Sequence, residues 1–312
     1  MNQVAVDMRE IRKSYNGTRA LNDISVHIHQ GELFGFIGPD GAGKSTLFHI
    51  LTTLLLPDAG TALVGGFDTV REYGKIRRIV GYMPGRFSLY QDLTVEENLK
   101  FFAGIFKTTI AENYHLIKDI YGQIEPFKNR RAGQLSGGMK QKLALSCALV
   151  HKPEILFLDE PTTGVDAVSR KEFWEMLQRL KAQGITIIVS TPYMDEAALC
   201  DRVALMQKGD FMAINTPEVI VANFGYRLFA VKSALMYPLP AALEAMPDTK
   251  AVYRFGDAVH YLNTHEDKSA EDIIRHLQVH GHNEVTVNQV NPTIEDCFML
   301  LMKKEETADA NT

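Results

Sequence analysis

Residues 38–46 read GPDGAGKST. Gly38, Gly43, Lys44 and Ser45 fit the pattern G-x-x-x-x-G-K-[ST]. Glycines at 38, 41 and 43 let backbone N–H groups turn inward on an anion, and a helix start adds positive partial charge. Lys44 has the reach for the outer phosphates of a nucleotide, and the Ser45 hydroxyl suits a Mg²⁺ ion. Pro39, Ala42 and Thr46 complete the loop. Asp40 adds a carboxylate beside the anion, which is unfavourable unless it points away. Residues 155–161 read ILFLDEP, an apolar strand ending in Asp159 and Glu160. Ligands of open α/β sheets lie beyond the carboxyl ends of strands, so Asp159 is placed to hold Mg²⁺, directly or through water. Residues 135–141 read LSGGMKQ. Ser136 can cap a helix running to about Val150, and Gly137 and Gly138 leave its first turn bare, which makes a second anion site.

These residues need elements to carry them. Residues 33–37, LFGFI, are a short apolar run suited to a buried parallel strand. Residues 45–56 read as a helix with Leu47, Ile50, Leu51 and Leu54 on one face. Strand, glycine loop and helix in succession are the context the loop requires. Residues 4–36 are mostly strands with a turn at Asn16-Gly17. His27 and His29 alternate with Val26 and Ile28, as a solvated face against a buried one. A helical insert covers about 91–133, with a capping box from Thr94 to Glu97. From about Phe224 a small α+β segment follows, alternating strands and helices, one of them capped and ending at Gly281. This divides the chain into 1–222, 224–304 and a disordered tail at 305–312.

The three motifs together resemble the ATP-binding cassette family, the motor subunits of ABC transporters. The resemblance covers essentially the whole chain, and LSGGMKQ is its most specific element. It implies an α/β P-loop NTPase fold of ABC type: a mixed sheet core, an antiparallel β subdomain, a helical subdomain, and here a small C-terminal α+β domain. It implies ATP and Mg²⁺ as cofactors, with Ser45 and Asp159 on the metal and Glu160 as the general base that polarises water. Tyr15 matches the aromatic that stacks on adenine. Ser136, Gly137, Gly138 and Gln141 belong to the signature that closes on ATP held by another cassette. Asp166, in Gly164-Val165-Asp166, belongs to the loop crossing between the two. The helical insert and the loop before it dock onto membrane subunits. Residues 291–298 resemble the closing motif of ATPase subunits serving ABC-2 type exporters. GPDGAGKST and STPYMDEA resemble one cassette of tandem-cassette multidrug exporter ATPases. The implied partners are ABC-2 type permease subunits and a second, non-identical cassette, at the cytoplasmic face of the cell membrane.

Two positions depart from the family. Gly85 stands where a glutamine senses Mg²⁺ and water, and Pro192 where a switch histidine contacts the γ-phosphate. Proline has no side-chain donor or acceptor. Neutral drift, a hydrolysis-weak site in an unequal pair, and an inactive paralogue all accommodate these losses. The unequal pair also explains why the signature, used in trans, is whole while residues used in cis are lost.

Composition narrows the alternatives. The 312 residues carry a net charge of −5, which argues against a dedicated nucleic-acid binder. Cys147, Cys200 and Cys297 form no C-x-x-C and read as small packing residues in a reducing compartment. No apolar run approaches membrane-spanning length, so a pore would belong to another chain. His276, His280 and His282 lack an accompanying carboxylate or cysteine motif for metal. A soluble ABC ATPase of translation or repair would carry a second cassette, zinc modules or long coiled-coil inserts. A non-hydrolysing regulatory module is the other competing reading.

Overall fold

The structure is a computed structural model that describes residues 3–85, 89–265 and 268–309, with side chains to 303. The chain forms two compact units, Met1–Pro217 and Glu218–Thr312.

The first unit opens with β1 (Val4–Tyr15) and β2 (Thr18–His29), a hairpin turning at Asn16-Gly17 with φ of 48° and 84°. Both turn residues are left-handed, as a two-residue hairpin of matched twist requires. β3 (Leu33–Ile37) is buried at every residue and leads through the glycine loop into α1 (Lys44–Leu51). β4 (Ala59–Val64), β5 (Phe67–Asp68), α2 (Tyr73–Ile79) and β6 (Val80–Met83) follow. The insert supplies α3 (Val95–Ile105) and α4 (Ile110–Tyr121). Thr94 and Glu97 make the expected capping box. α5 (Gly137–Leu149), β7 (Ile155–Asp159), α6 (Ala167–Ala182), β8 (Thr186–Thr191), β9 (Arg202–Gln207) and β10 (Asp210–Asn215) complete the unit.

Two sheets result. One is antiparallel in the order β2-β1-β4-β5; the other is six-stranded, β10-β9-β3-β8-β7-β6, parallel except for β10. The core joins Met8, Ile24 and Val64 of the first sheet to Phe36 and Phe157 of the second through α1. Phe48 of α1 meets Phe36 and Phe157 edge-on, at centroid distances of 6.0 and 5.6 Å. Helix α1 stops at Leu51, short of the expected Leu56, because Thr52 caps it and Thr53 turns left-handed at φ 64°. Leu47, Ile50 and Leu51 are buried as expected, whereas Leu54 is 59% exposed. His27 is not merely solvated: it lies 2.7 Å from Asp7 across the hairpin.

The second unit begins within α7 (Pro217–Ala222), after its first residue. It continues with β11 (Leu228–Lys232), α8 (Leu239–Glu244), β12 (Thr249–Phe255), β13 (Ala258–Asn263), α9 (Ala270–Val279) and β14 (Thr286–Val290). The antiparallel order β12-β13-β11-β14 is the split β-α-β arrangement of ferredoxin-like domains. α8 and α9 cover one face, packing Leu243, Ile273 and Leu277 on Val231, Val252 and Tyr261. The last helix, α10 (Ile294–Asp309), places Asp296 against the sheet. Asp296 Oδ1 accepts from Tyr253 Oη at 2.9 Å and lies 2.6 Å from His260 Nδ1. Burial pushes its carboxyl up, but hydrogen bonds from His260, Thr293 and Tyr253 outweigh that and hold it below the usual range. α10 continues through Asp309 into the stretch expected as a tail, where Lys303, Lys304, Glu305 and Glu306 are strong helix formers; residues 310–312 lie outside the described residues.

Phe48→Ala would leave a cavity between the two sheets. The expected cost is about 3–5 kcal/mol, read as an earlier urea midpoint for the first unit. An unchanged midpoint would show that α1 does not hold the sheets together.

Candidate functional site

Strands β3, β8 and β7 run parallel and adjacent, and their register pairs Ile37 with Thr191 and Asp159 with Ser190. Their carboxyl ends therefore fall in one line. The glycine loop leaves β3 there, and Gly38 N–H donates to the Thr191 carbonyl at 3.2 Å. A Cβ on Gly38 would lie 2.1 Å from the Met206 carbonyl oxygen. At Gly43, with φ of 104°, it would lie 2.4 Å from that of Ala20. Glycine is required at both positions by close approach of other backbone, and at the second by its dihedral as well. Ala42 is buried, and its carbonyl accepts from Gly209 N–H at 3.0 Å.

Lys44 is only 3% exposed. Its ammonium donates to the Gly38 and Pro39 carbonyls at 2.8 and 3.0 Å and lies 3.3 Å from Glu160 Oε1. Glu160 is left-handed at φ 47°, with its N–H shared between the Ser190 carbonyl and Oγ, each at 3.0 Å. Asp159 Oδ1 accepts from Ser45 Oγ at 3.2 Å and from Ser190 Oγ at 2.5 Å. A cavity of about 380 Å³ is lined by Asp40, Gly41, Gly43, Lys44, Ser45 and Thr46 of the loop, with Tyr15, Ala20 and Glu160. The half-exposed Tyr15 ring thus shares one space with the loop, and Asp40 is exposed to water, which screens its charge. The arrangement offers bare N–H groups, one buried cation and a flat aromatic face. It can hold an anion with a planar group attached.

The signature residues form a second group that does not line this cavity. Ser136 Oγ accepts from Met139 N–H at 3.3 Å and caps α5 as expected. A Cβ on Gly137 would lie 3.8 Å from the Gly164 carbonyl, and one on Gly138 would lie 3.0 Å from Ser169 Oγ. Asp166 caps α6, accepting from Val168 and Ser169 N–H at 3.1 and 3.0 Å; the Ser169 bonds lower its pKa. Gln141 is buried and donates its amide to the Pro161 carbonyl. It braces the chain after β7 from within, so its side chain is engaged inside the fold.

A Cβ on Gly85 would lie 3.2 Å from the Asp159 carbonyl oxygen and 3.9 Å from its carboxyl carbon. A side chain at this position would therefore start beside Asp159. Pro192 directly follows the Thr191 carbonyl that holds Gly38. Thr191 Oγ1 donates to Glu196 and accepts from Tyr193 N–H, bracing the turn around the proline. Ala20, which lines the site, lies in no motif, and Ser190, which touches it, opens STPYMDEA without a role assigned from sequence. Only the strand register brings Ser190 to Asp159.

Beside the insert lies an apolar cavity of about 420 Å³. Tyr82, Met83, Leu89, Phe102, Ile105 and His151 are among its walls. Burial pushes the Tyr82 phenol up, and the Asp159 charge adds to this. Burial also lowers His151 to about 4, against a hydrogen bond to the Val80 carbonyl that favours its charged form.

The sequence matches the ABC transporter family over residues 21–163. It is 37% identical over 317 residues to the Probable multidrug ABC transporter ATP-binding protein YbhF of Escherichia coli (strain K12), covering 99% of this chain and 54% of that protein. The chain thus spans about half the length of that relative. It is 31% identical over 309 residues to the Nod factor export ATP-binding protein I of Rhizobium sp. (strain N33), covering 98% and 99%. Among solved structures, an ATP binding subunit of an ABC transporter aligns with a TM-score of 0.65 at 27% identity, over 71% of this chain and 93% of that one. The ATP-binding cassette MJ0796, in a dimeric post-hydrolysis state bound to ADP and Pi, aligns at 0.61 and 28%, over 68% and 98%. The fold is that of an ATP-binding cassette. The chain belongs to the ABC transporter family.

Lys44→Ala removes the buried cation of the cavity. Two or three charge-assisted hydrogen bonds to phosphate are lost, so ATP affinity should fall about a hundredfold or more. Calorimetric titration with ATP and Mg²⁺ tests this; equal affinities for variant and wild type would contradict it.

Proposed function

We propose that this chain is the ATP-binding and ATP-hydrolysing subunit of an ABC-2 type exporter of drugs or other small molecules. It works peripherally at the cytoplasmic face of a membrane, with permease subunits and a second, non-identical cassette, and without nucleic acid. The observation carrying the nucleotide part is the convergence of Tyr15, the glycine loop, Asp159 and Glu160 at one strand edge. The loop N–H groups and Lys44 take the phosphates, and Tyr15 takes the adenine face. Mg²⁺ fits the donor set: Ser45 Oγ and the Asp159 carboxylate are hard oxygen ligands side by side. Such an ion takes one or two protein ligands and completes its shell with phosphate and water. Bound there, it would neutralise charge on the transferring phosphoryl group. Glu160 aligns water for attack, its carboxylate aimed into the cavity beside Lys44.

Among the described residues no helix is long and apolar enough to cross a membrane. The apolar cavity between the insert and β6 supports docking of a permease segment, since Leu54 and Ile105 at its walls are also exposed to water. The relatives' names, a probable multidrug transporter and a Nod factor exporter, support an outward small-molecule cargo.

The unequal pair follows from which residues are damaged. A head-to-tail pair has two sites, each built from one chain's loop and the other's signature. In a homodimer both sites would carry Gly85 and Pro192. With a different partner only the site on this chain's loop is impaired, and the intact Ser136-Gly137-Gly138 serves the other. Intact Glu160 favours slow turnover over a purely regulatory module.

Alone, the chain should hydrolyse ATP well below about 1 s⁻¹. Gly85→Gln with Pro192→His should raise that rate by returning polar groups that align water and phosphate. A wild-type rate already at that level, or no gain in a folded double variant, would sink the impaired-site reading. In the native complex a second, different ATPase should copurify. Ser136→Arg should then stop turnover more completely than Glu160→Gln; a complex holding this ATPase alone with vigorous turnover would refute the unequal pair.

A further inference from the structure

The two carboxylates of the site hang on one side chain to which the sequence assigns no role, the serine that opens STPYMDEA. Ser190, in β8, is fully buried. Its Oγ donates to Asp159 Oδ1 at 2.5 Å and accepts from Glu160 N–H at 3.0 Å. One hydroxyl thus fills both of its roles, giving its proton to one acid and holding the backbone of the next. The Asp159 bond fixes which oxygen faces Ser45, since Ser45 Oγ reaches the same Oδ1. The Glu160 bond supports a left-handed residue that is not glycine, a conformation that costs energy and persists only where its surroundings enforce it. Neither neighbour can substitute. Thr191 Oγ1 is committed to Glu196 and to Tyr193 N–H. Gly85, whose Cβ position would lie beside Asp159, has no side chain.

From this geometry we infer that Ser190 is the positioning residue of the metal-ligand pair, presetting Asp159 and Ser45 for the cation that accompanies the nucleotide. The inference rests on the proposed nucleotide site. Where Gly85 and Pro192 withdraw two contacts from the strand edge, Ser190 supplies the orientation that is left. It touches no substrate, so its effect is on how well the cation is held. Groups that orient metal ligands from behind typically change metal affinity 10–100-fold when lost.

The test separates metal binding from nucleotide binding in the full chain. ATP affinity is measured by calorimetry in EDTA, and Mn²⁺ affinity of the ATP-bound protein by electron paramagnetic resonance. Ser190→Ala removes the hydroxyl without adding volume, and Ser190→Cys replaces it with a somewhat larger thiol that is only a weak donor. Both should weaken Mn²⁺ binding about tenfold or more, with metal-free ATP affinity within about twofold of wild type. Ser190→Thr retains the hydroxyl and should keep Mn²⁺ affinity near the wild-type value. Unchanged Mn²⁺ affinity in both Ala and Cys variants overturns the inference. So does a Thr variant as poor as Ala with native circular dichroism. Equal loss of metal-free ATP binding and Mn²⁺ binding assigns Ser190 to packing alone and also overturns it. A wild-type chain that binds no ATP overturns the nucleotide-site reading itself, a result distinct from wild type binding Mn²⁺-ATP with the variants unaffected.

Discussion

The site depends on the register of three parallel strands. β3, β8 and β7 end together because Ile37 pairs with Thr191 and Asp159 with Ser190. Side chains alternate along a strand, so a slip of one residue would turn Asp159 away from Ser45 and bury Glu160 in its place. The register is fixed by what lies on the two faces. Residues 33–37, 155–159 and 186–191 are buried at every position, so each strand is gripped from both sides. Strand ends that carry charge are thus located by strand interiors that carry none.

Helix α1 converts that sheet into a loop holder. It lies in a core shared by both sheets of the first unit, with Leu47, Phe48, Ile50 and Leu51 all fully buried. Its first residue is Lys44, so the packing that seats Phe48 also sets where the ammonium begins. The glycines before it let the backbone pass within contact distance of Ala20 and Met206. The second unit is built by a different logic. Its sheet is packed on one face by apolar helices, while the other meets Asp296, bound to Tyr253 and close to His260. A buried hydrogen-bonded carboxylate is a geometric key more than a stabiliser, because its desolvation offsets much of what its bonds return.

Much of this was legible in the sequence. The glycine loop, the apolar strand ahead of Asp159, the Ser136 cap and the Thr94–Glu97 box are local signals, and each element formed where its residues indicated. What escaped was set by contacts distant in the chain. Leu54 has the spacing of a core residue, yet the backbone leaves the helix at Thr53 and exposes it. Gln141 sits inside a motif, but its side chain turns inward to Pro161. Ser190 is one serine in an apolar run, and only the strand order places it against Asp159. In the second unit the strands could be read one by one, while their order β12-β13-β11-β14 is a property of the folded sheet.

Lys44 is not a bare charge waiting in an open space. Its ammonium already has the Gly38 and Pro39 carbonyls and the Glu160 carboxylate around it. An incoming anion must therefore outbid a carboxylate and two carbonyls at once, which makes entry an exchange of partners. Such an exchange acts as a charge threshold. A dense polyanion that also meets the loop N–H groups can win it, whereas a lone small anion of single charge offers the ammonium little more than it already has. A lysine held this way discriminates by being occupied.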